Sequence, residues 1–488
     1  LLTTTKVETF KNLIGGDWSE TQSGQTFLSI NPANKEEIVG VFQASNEEDV
    51  RQAIDAASRA FPQWAATAPS KRATILNKAA DILEQSADTL AEELTREEGK
   101  HVNDARNEVL RSAQTLRFYA VEGQSFTGET FPHDDPNMKV STEREPLGVI
   151  SVITPWNFPI SIPARKIAPA LITGNTVVFK PSSDTPLIAF RLVEALHNAG
   201  IPKGVINFVT GKSSDIGDLL VTHEAVKAVT FTGSTIAGED IHSKSSFNTR
   251  TQMELGGKNP IIIMDDADLD LATTLTVNGA FSLSGQACTG TSRVIVLQNV
   301  KDAYINRLIE KTKNLKIGNG FEEGVKIGPV ANHRQLKNIL NYIDIGVKEG
   351  AKLVYGGNQI TDGQYAKGYY VEPTIFTDVR PDMRIAQEEI FGPVVAVIEV
   401  STYEEAMEVA NGSDYGLSAS IVTNSLHIAS DFTKKIQAGT VKVNRTTTGN
   451  LMNAPFGGFK KSSTATFRES GRVGLEFFTQ VKTVYVGY

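Results

Sequence analysis

From about residue 147 onward, short apolar runs alternate with segments of about a dozen residues whose apolar positions recur at helical spacing. LGVISVITPW, NTVVFKPSS, VINFVTG and VKAVTFTG read as strands. IPARKIAPALITG, LIAFRLVEALHNAG and GDLLVTHEAV, which separate them, read as helices. Strands joined through helices return in the same direction, so this rhythm predicts a parallel sheet covered on both faces. Reactive groups are then expected beyond the carboxyl ends of the strands.

A second alternating stretch follows ELGGKNPIIIM and runs through SRVIVL, AYINRLIEKTKNL, LKNILNYIDIGVKEG, AKLVYGG, VVAVIEV and EEAMEVANG, which predicts another α/β unit. Ahead of both, residues 46–120 read as a helical layer. Asn46 can cap its first helix, Val50, Ile54, Ala57 and Phe61 fall at helical spacing, and Gly99 marks a stop. The tail VKTVYVGY is strand-like and requires a partner strand. Nothing recurs at a fixed period, which argues against a solenoid.

At 488 residues the chain is long enough for two or three domains. A net charge of −8 without a concentrated basic block gives nucleic acid or a membrane surface no electrostatic hold. The opening LLTTTKVETF lacks the basic and apolar regions of a signal peptide, and no apolar run reaches membrane-span length. The single cysteine excludes an intrachain disulfide and suits a reducing compartment, so the cytoplasm is expected. HExxH and GxSxG are absent, so neither a metal centre nor a serine hydrolase has a motif behind it.

That cysteine, Cys288, lies in a polar, turn-like setting between Gly285, Gln286, Thr289 and Gly290. It is either a small buried hydrophobe or a nucleophile placed where backbone N–H groups can reach an oxyanion. Glu254 sits between Met253 and Leu255 and before Gly256 and Gly257, whose flexibility the backbone is expected to need. Withdrawn from water, its carboxyl acquires the raised pKa of a general base; otherwise it is surface. Asn157, in the rigid turn TPWNFP, can donate its amide to an oxyanion or cap the next helix. Lys180 with the following serines suits a ribose or phosphate, and Gly233 and Ser234 offer free N–H groups at a helix start where a pyrophosphate can sit. Both are also ordinary turns. No GxGxxG fingerprint is present.

The segments TPWNFP (154–159), KIAPALITGNTVVFKPS (166–182), FTGST (231–235), ELGGKNP (254–260), GQAC (285–288), EEIFGPV (388–394) and PFGGFK (455–460) occur in this order. In that combination the chain resembles the NAD(P)-dependent aldehyde dehydrogenase superfamily from about residue 12 to its end. The resemblance implies a Rossmann-like cofactor domain (1–124 and 147–255), an α/β catalytic domain (256–447) and a small bridging sheet (125–146 and 448–488). It implies Cys288 as nucleophile, Glu254 as water activator, Asn157 as oxyanion donor and Lys166 in the catalytic set. Thr154, Pro155, Trp156, Lys180, Ser182, Ser183, Gly233, Ser234, Gly257, Glu389 and Phe391 fall on the NAD or NADP site. Phe158 and Arg165 fall on the aldehyde site. No metal is implied, and a homodimer or homotetramer is expected, with the tail meeting a neighbouring subunit's sheet.

Two departures from the superfamily pattern stand out. Ser183 occupies a position where many NAD-specific members carry glutamate, and Ser463 in KKSSTATFRESG stands where glycine is common, which puts the local loop shape in doubt. Within the superfamily the segments most resemble bacterial 2-oxoglutarate semialdehyde dehydrogenases. Succinate semialdehyde dehydrogenases come next and broad-specificity aliphatic enzymes third. Two other classes are compatible with the scaffold: an acyl transferase that passes the thioester to coenzyme A, and a noncatalytic structural protein.

Overall fold

The computed structural model describes residues 7–488; the first six residues of the N-terminal segment read above lie outside that range. Four helices, Glu47–Ala65, Pro69–Gln85, Ala87–Glu98 and Val102–Glu122, form the N-terminal layer. The first begins where Asn46 accepts from the Asp49 N–H while the Asp49 carboxylate accepts from the Asn46 N–H, a reciprocal cap. The third ends at Gly99, whose φ of 96° is open to glycine at little cost. Val102–Glu122 buries Ala105, Val109, Leu116 and Tyr119, and it packs against the helix Ser161–Ile172.

Five parallel strands build the first sheet, in the order Arg250–Glu254, Val226–Thr232, Val149–Ile153, Thr176–Lys180 and Ile206–Phe208. The antiparallel pair Asn12–Ile14 and Asp17–Ser19 extends it beyond Ile206–Phe208. Val149–Ile153 and Thr176–Lys180 are buried along their whole length, as the unbroken apolar runs predicted for strands covered on both faces. From Val149–Ile153 the chain first builds outward through Thr176–Lys180 and then crosses back to Val226–Thr232. The order therefore reverses between Val149–Ile153 and Val226–Thr232, leaving a crevice at their carboxyl ends.

The second sheet runs Lys352–Tyr355, Thr374–Thr377, Val394–Val400, Thr291–Leu297, Asn259–Ile263, Ser418–Val422 and Thr440–Val443. All neighbours are parallel except the first pair. The helix expected over GDLLVTHEAV starts earlier, at Ser213, and ends at Thr222, because His223 is extended and Val226 already enters a strand. Thr479–Gly487 pairs antiparallel with Met138–Pro146 from Thr479↔Pro146 to Gly487↔Met138, while Thr130–Phe131 flanks the other side of Met138–Pro146. The tail thus finds a partner within its own chain, and its outer edge is unpaired among the described residues. Among them, no helix is long and apolar enough to cross a membrane, and no group of potential ligands gathers for a metal.

Candidate active site

The turn after Val149–Ile153 carries Thr154 to Phe158 toward the crevice. The Asn157 side chain does not cap the next helix, whose first residue is Ser161 and whose N-cap has no side-chain bond. It donates instead to the Gln286 carbonyl at 3.0 Å, two residues before Cys288. The turn is pinned from behind by a buried ion pair: Lys100 lies 2.5 Å from Glu108 and also donates to the Asn157 carbonyl at 2.8 Å. The other Glu108 oxygen accepts from the backbone N–H groups of Ile160 and Ser161, each at 3.2 Å, at the start of Ser161–Ile172. Each charge of the pair is compensated by hydrogen bonds, which burial requires.

Cys288 follows three consecutive left-handed residues, Leu283 (φ 53°), Ser284 (φ 53°) and Gly285 (φ 70°). For two side-chain-bearing residues this costs about 1–3 kcal/mol each, so the surroundings must enforce it. They do: the Ser284 hydroxyl donates to the Gly328 carbonyl at 2.8 Å, and Gln286 accepts the Ala331 N–H at 2.9 Å. The Cys288 carbonyl accepts from Asn259 at 2.8 Å. Burial, and then the Glu389 carboxylate, push the Cys288 thiol up to about 12. At neutral pH the resting sulfur is protonated in this environment and requires a proton acceptor before it can attack.

Glu254 ends the strand Arg250–Glu254 and is buried. Ser463 donates to one of its oxygens at 3.1 Å, and the other, Oε2, has no partner. Burial, then the charge of Glu469, raise its pKa well above the carboxylate range. Glu469 behaves in the opposite way. Burial disfavours its charge, but Lys166 at 2.9 Å and then Arg165 at 3.6 Å hold it below the ordinary value. Lys166, fully buried, also donates to Thr230 at 2.9 Å. The two carboxyls of one enclosure are thus driven in opposite directions, Glu254 toward holding a proton more tightly and Glu469 toward ionisation, so that Glu254 once deprotonated is a stronger base than an ordinary carboxylate.

Gly256 and Gly257 are not needed for left-handed backbone, since neither has a positive φ. They are needed for room: a Cβ on Gly256 would lie 2.3 Å from the Glu389 carboxylate, and one on Gly257 2.8 Å from the Cys288 carbonyl. Glu389 accepts the Gly257 N–H at 3.0 Å, and burial raises its pKa to about 7. Phe391 adopts φ 56° and meets Trp156 edge to face, with ring centres 5.3 Å apart.

Gly233 also departs from expectation. Its N–H is engaged by the Glu254 carbonyl at 3.1 Å, and glycine is required because a Cβ would stand 2.4 Å from the Phe231 ring. Ser234 caps the helix Thr235–Lys244. Thr154 and Thr232, at the two carboxyl ends flanking the crevice, each bury a hydroxyl without a partner. Lys180, buried, donates to the Pro181 carbonyl at 3.0 Å, and burial lowers its pKa to about 8. The Ser182 hydroxyl lies 3.4 Å from Asp184, and Ser183 donates to the Gly211 carbonyl at 2.9 Å.

On the other side of Cys288 opens a cavity of about 330 Å³. Phe158, Arg165, Phe456 and Cys288 are on its wall, with Arg165 17% exposed and its guanidinium 5.8 Å from the Phe456 ring centre. The thiol therefore lines this cavity while also feeling the charges of Glu389, Glu254 and Glu469.

The aldehyde dehydrogenase family pattern matches residues 18–484. The chain belongs to the aldehyde dehydrogenase family. It is 44% identical over 483 residues to the alpha-ketoglutaric semialdehyde dehydrogenase of Bacillus subtilis (strain 168), covering 99% of each chain. It is 45% identical over 469 residues to the 2,5-dioxopentanoate dehydrogenase of Saccharolobus solfataricus, covering 96% of this chain and 97% of that one. The crystal structure of betaine aldehyde dehydrogenase from Staphylococcus aureus in complex with NAD+ superposes with a TM-score of 0.95 at 35% identity, over 98% of this chain and 94% of that one. The fold is that of the aldehyde dehydrogenases.

Against this family frame, Glu469 is the residue that sequence reasoning quoted without giving it a role. Its neighbourhood with Lys166 and Glu254 joins positions from three distant segments, which no local spacing reveals. Ser463, noted as a departure in loop shape, reaches Glu254 directly. The pinning pair Lys100 and Glu108 lay within the helical layer and carried no motif.

Proposed function

We propose that this aldehyde dehydrogenase oxidises an aldehyde bearing a distant carboxylate, 2-oxoglutarate semialdehyde above all, to the corresponding acid. The observation that carries this reading is Arg165 on the wall of the cavity that opens onto Cys288. A guanidinium there can take a carboxylate through two parallel hydrogen bonds while the aldehyde end reaches the sulfur. The names of the 44% and 45% identical relatives support the same substrate class. Succinate semialdehyde is the second reading, since the same guanidinium serves a shorter acid.

In the proposed mechanism the Cys288 thiol releases its proton to solvent through the cavity it lines, the thiolate attacks the aldehyde carbon, and the resulting oxyanion is received by the Asn157 amide and the Cys288 N–H. A nicotinamide dinucleotide, when bound, supplies the hydride acceptor, which the protein itself lacks. The acyl group then remains on Cys288 as a thioester. Glu254, deprotonated, takes a proton from water as the water attacks, and Lys166 with Glu469 fixes the charge behind it. This favours hydrolysis over transfer to coenzyme A.

The buried, unpartnered hydroxyls of Thr154 and Thr232 and the half-satisfied Lys180 ammonium fit a polar ligand along the crevice. Thr154, Pro155, Trp156, Ser182, Ser183, Ser234, Glu389 and Phe391 complete the proposed cofactor surface, while Gly233 and Gly257 contribute clearance. We further propose that residues 1–124 and 147–255 act as the cofactor domain, 256–447 as the catalytic domain, and 125–146 with 448–488 as the bridging part. The open edge of Thr479–Gly487 suits a second subunit in a dimer or tetramer. A reducing, cytoplasmic setting suits a thiol proposed to act as the nucleophile.

The direct test is formation of reduced cofactor across a panel of aldehydes with and without a terminal carboxylate. Arg165→Leu should lower the ratio of kcat/KM for the acid to that for an uncharged aldehyde of equal length by about 30-fold, roughly the 2 kcal/mol of a charge-assisted hydrogen-bond partner. An unchanged ratio would mean that Arg165 only shapes the helix and pairs with Glu469. For the cofactor, Ser183 leaves no carboxylate to repel a 2′-phosphate, so NADP is expected to be used as well as NAD. Ser183→Glu should shift the balance toward NAD. A wild-type enzyme that already rejects NADP by more than about 1000-fold, roughly 4 kcal/mol, would place the selection elsewhere.

A further inference from the structure

The cavity over Cys288 holds a second guanidinium. Arg111, on the helix Val102–Glu122, lines the same wall as Arg165 and belongs to none of the motifs in the sequence. Its hydrogen bond goes to the backbone carbonyl of Asn450, and it forms no ion pair with any carboxylate among the described residues. Burial, and then the positive charge of Arg165, lower its pKa below the ordinary guanidinium value. Two cations of like charge, the exposed Arg111 and the mostly covered Arg165, thus line one cavity that is open to solvent.

The acids on that wall do not relieve them. Glu108 is engaged by Lys100 at 2.5 Å and by two backbone N–H groups, and Asp104 makes no ion pair with either arginine. Glu469 lies 2.9 Å from Lys166 and 3.6 Å from Arg165, so one carboxylate serves two cations. With one carboxylate shared between Lys166 and Arg165 and none on Arg111, the wall carries an excess of positive charge that an entering anion would offset. The missing charge is negative, and the cavity opens directly onto the nucleophile. We propose that Arg111 is a specificity-determining residue that, together with Arg165, receives the substrate's terminal carboxylate between two guanidinium forks. This rests on the proposed oxidation of an aldehyde acid and names the residue that would make an acid strongly preferred over a neutral aldehyde.

The test uses the full-length enzyme and compares wild type, Arg111→Met, Arg111→Lys and Arg165→Leu on 2-oxoglutarate semialdehyde, succinate semialdehyde and pentanal. Binding of 2-oxoglutarate as a nonreacting dicarboxylate probe is measured by calorimetry. Arg111→Met should lower the acid-to-pentanal ratio of kcat/KM by about 30-fold, mainly through KM for the acids, and weaken probe binding by about tenfold or more. Arg111→Lys, which keeps a point charge and a donor for Asn450 but loses the planar fork, should give a smaller fall. If Arg165→Leu lowers the ratio and both Arg111 variants leave it within about threefold, the role of Arg111 is overturned while the substrate reading stands. Equal losses on acids and pentanal would also overturn it, assigning Arg111 to holding the loop at Asn450. A wild-type enzyme with no preference for acids would sink the substrate reading itself, and the inference with it.

Discussion

Cys288→Ser is expected to lower turnover by at least about 10⁴-fold while leaving cofactor affinity within a few fold. The sulfur is the one atom in the site able to form an acyl bond that is stable enough to accumulate and labile enough to hydrolyse. A serine hydroxyl in its place ionises far less readily, and the enclosure already pushes the thiol up to about 12. The Asn157 amide and its Gln286 contact do not depend on the sulfur, so the binding surface should survive. Cofactor titration by tryptophan fluorescence and single-turnover kinetics separate the two effects. Because the chain has one cysteine, thiol titration after unfolding should fall from one group per chain to none. Near-normal turnover in the variant would remove the thioester from the mechanism.

Glu254→Gln should leave the first release of reduced cofactor rapid and then stall. Glutamine keeps the shape of the side chain and can still accept from Ser463, but it cannot take a proton from water. Hydrolysis of the thioester is expected to fall by about 10²- to 10⁴-fold, the usual contribution of a positioned base. A burst of one equivalent per site, followed by an acyl-enzyme visible by mass spectrometry, is the signature. The pH dependence has a definite sign. Burial and Glu469 raise the Glu254 pKa, so its proton-accepting form grows as pH rises through a range above that of ordinary carboxylates. Wild-type hydrolysis should therefore rise with pH there, and the variant should lose that limb. Loss of the burst itself would assign Glu254 to attack by Cys288 or to folding.

The parallel sheets were legible because burial on both faces leaves long uninterrupted apolar runs such as Val149–Ile153. Ser418–Val422 and Thr374–Thr377 were missed because buried serine and threonine interrupt the apolar signal, although both strands are fully covered. Cys288 could be located by its polar, glycine-flanked setting, but only as one of two alternatives. Glu254 was marked by its apolar neighbours, whereas the reason for Gly256 and Gly257 was not. Their φ values are unremarkable, and what excludes a side chain is Glu389 at Gly256, more than a hundred residues later in the chain, and Asn259 with the Cys288 carbonyl at Gly257. Arg111 and Glu108 are charged positions on a long amphipathic helix, where a solvated face is the ordinary expectation. Only the docking of Ser161–Ile172 against that helix converts them into site residues.

The pairing of Thr479–Gly487 with Met138–Pro146 has a bearing on how the thiol is protected. Those strands can meet only after the last residues have been synthesised, and contacts so distant in sequence form slowly. The growing chain therefore carries Cys288 before Glu389 and Glu469 exist. In that interval the thiol has the ordinary pKa near 8.5 and is open to oxidants and electrophiles. Closure of the fold moves it toward about 12. Folding thus makes the thiol harder to ionise while leaving it on the wall of a cavity that is open to small molecules, so reactivity toward reagents in solution is tuned by closure of the chain.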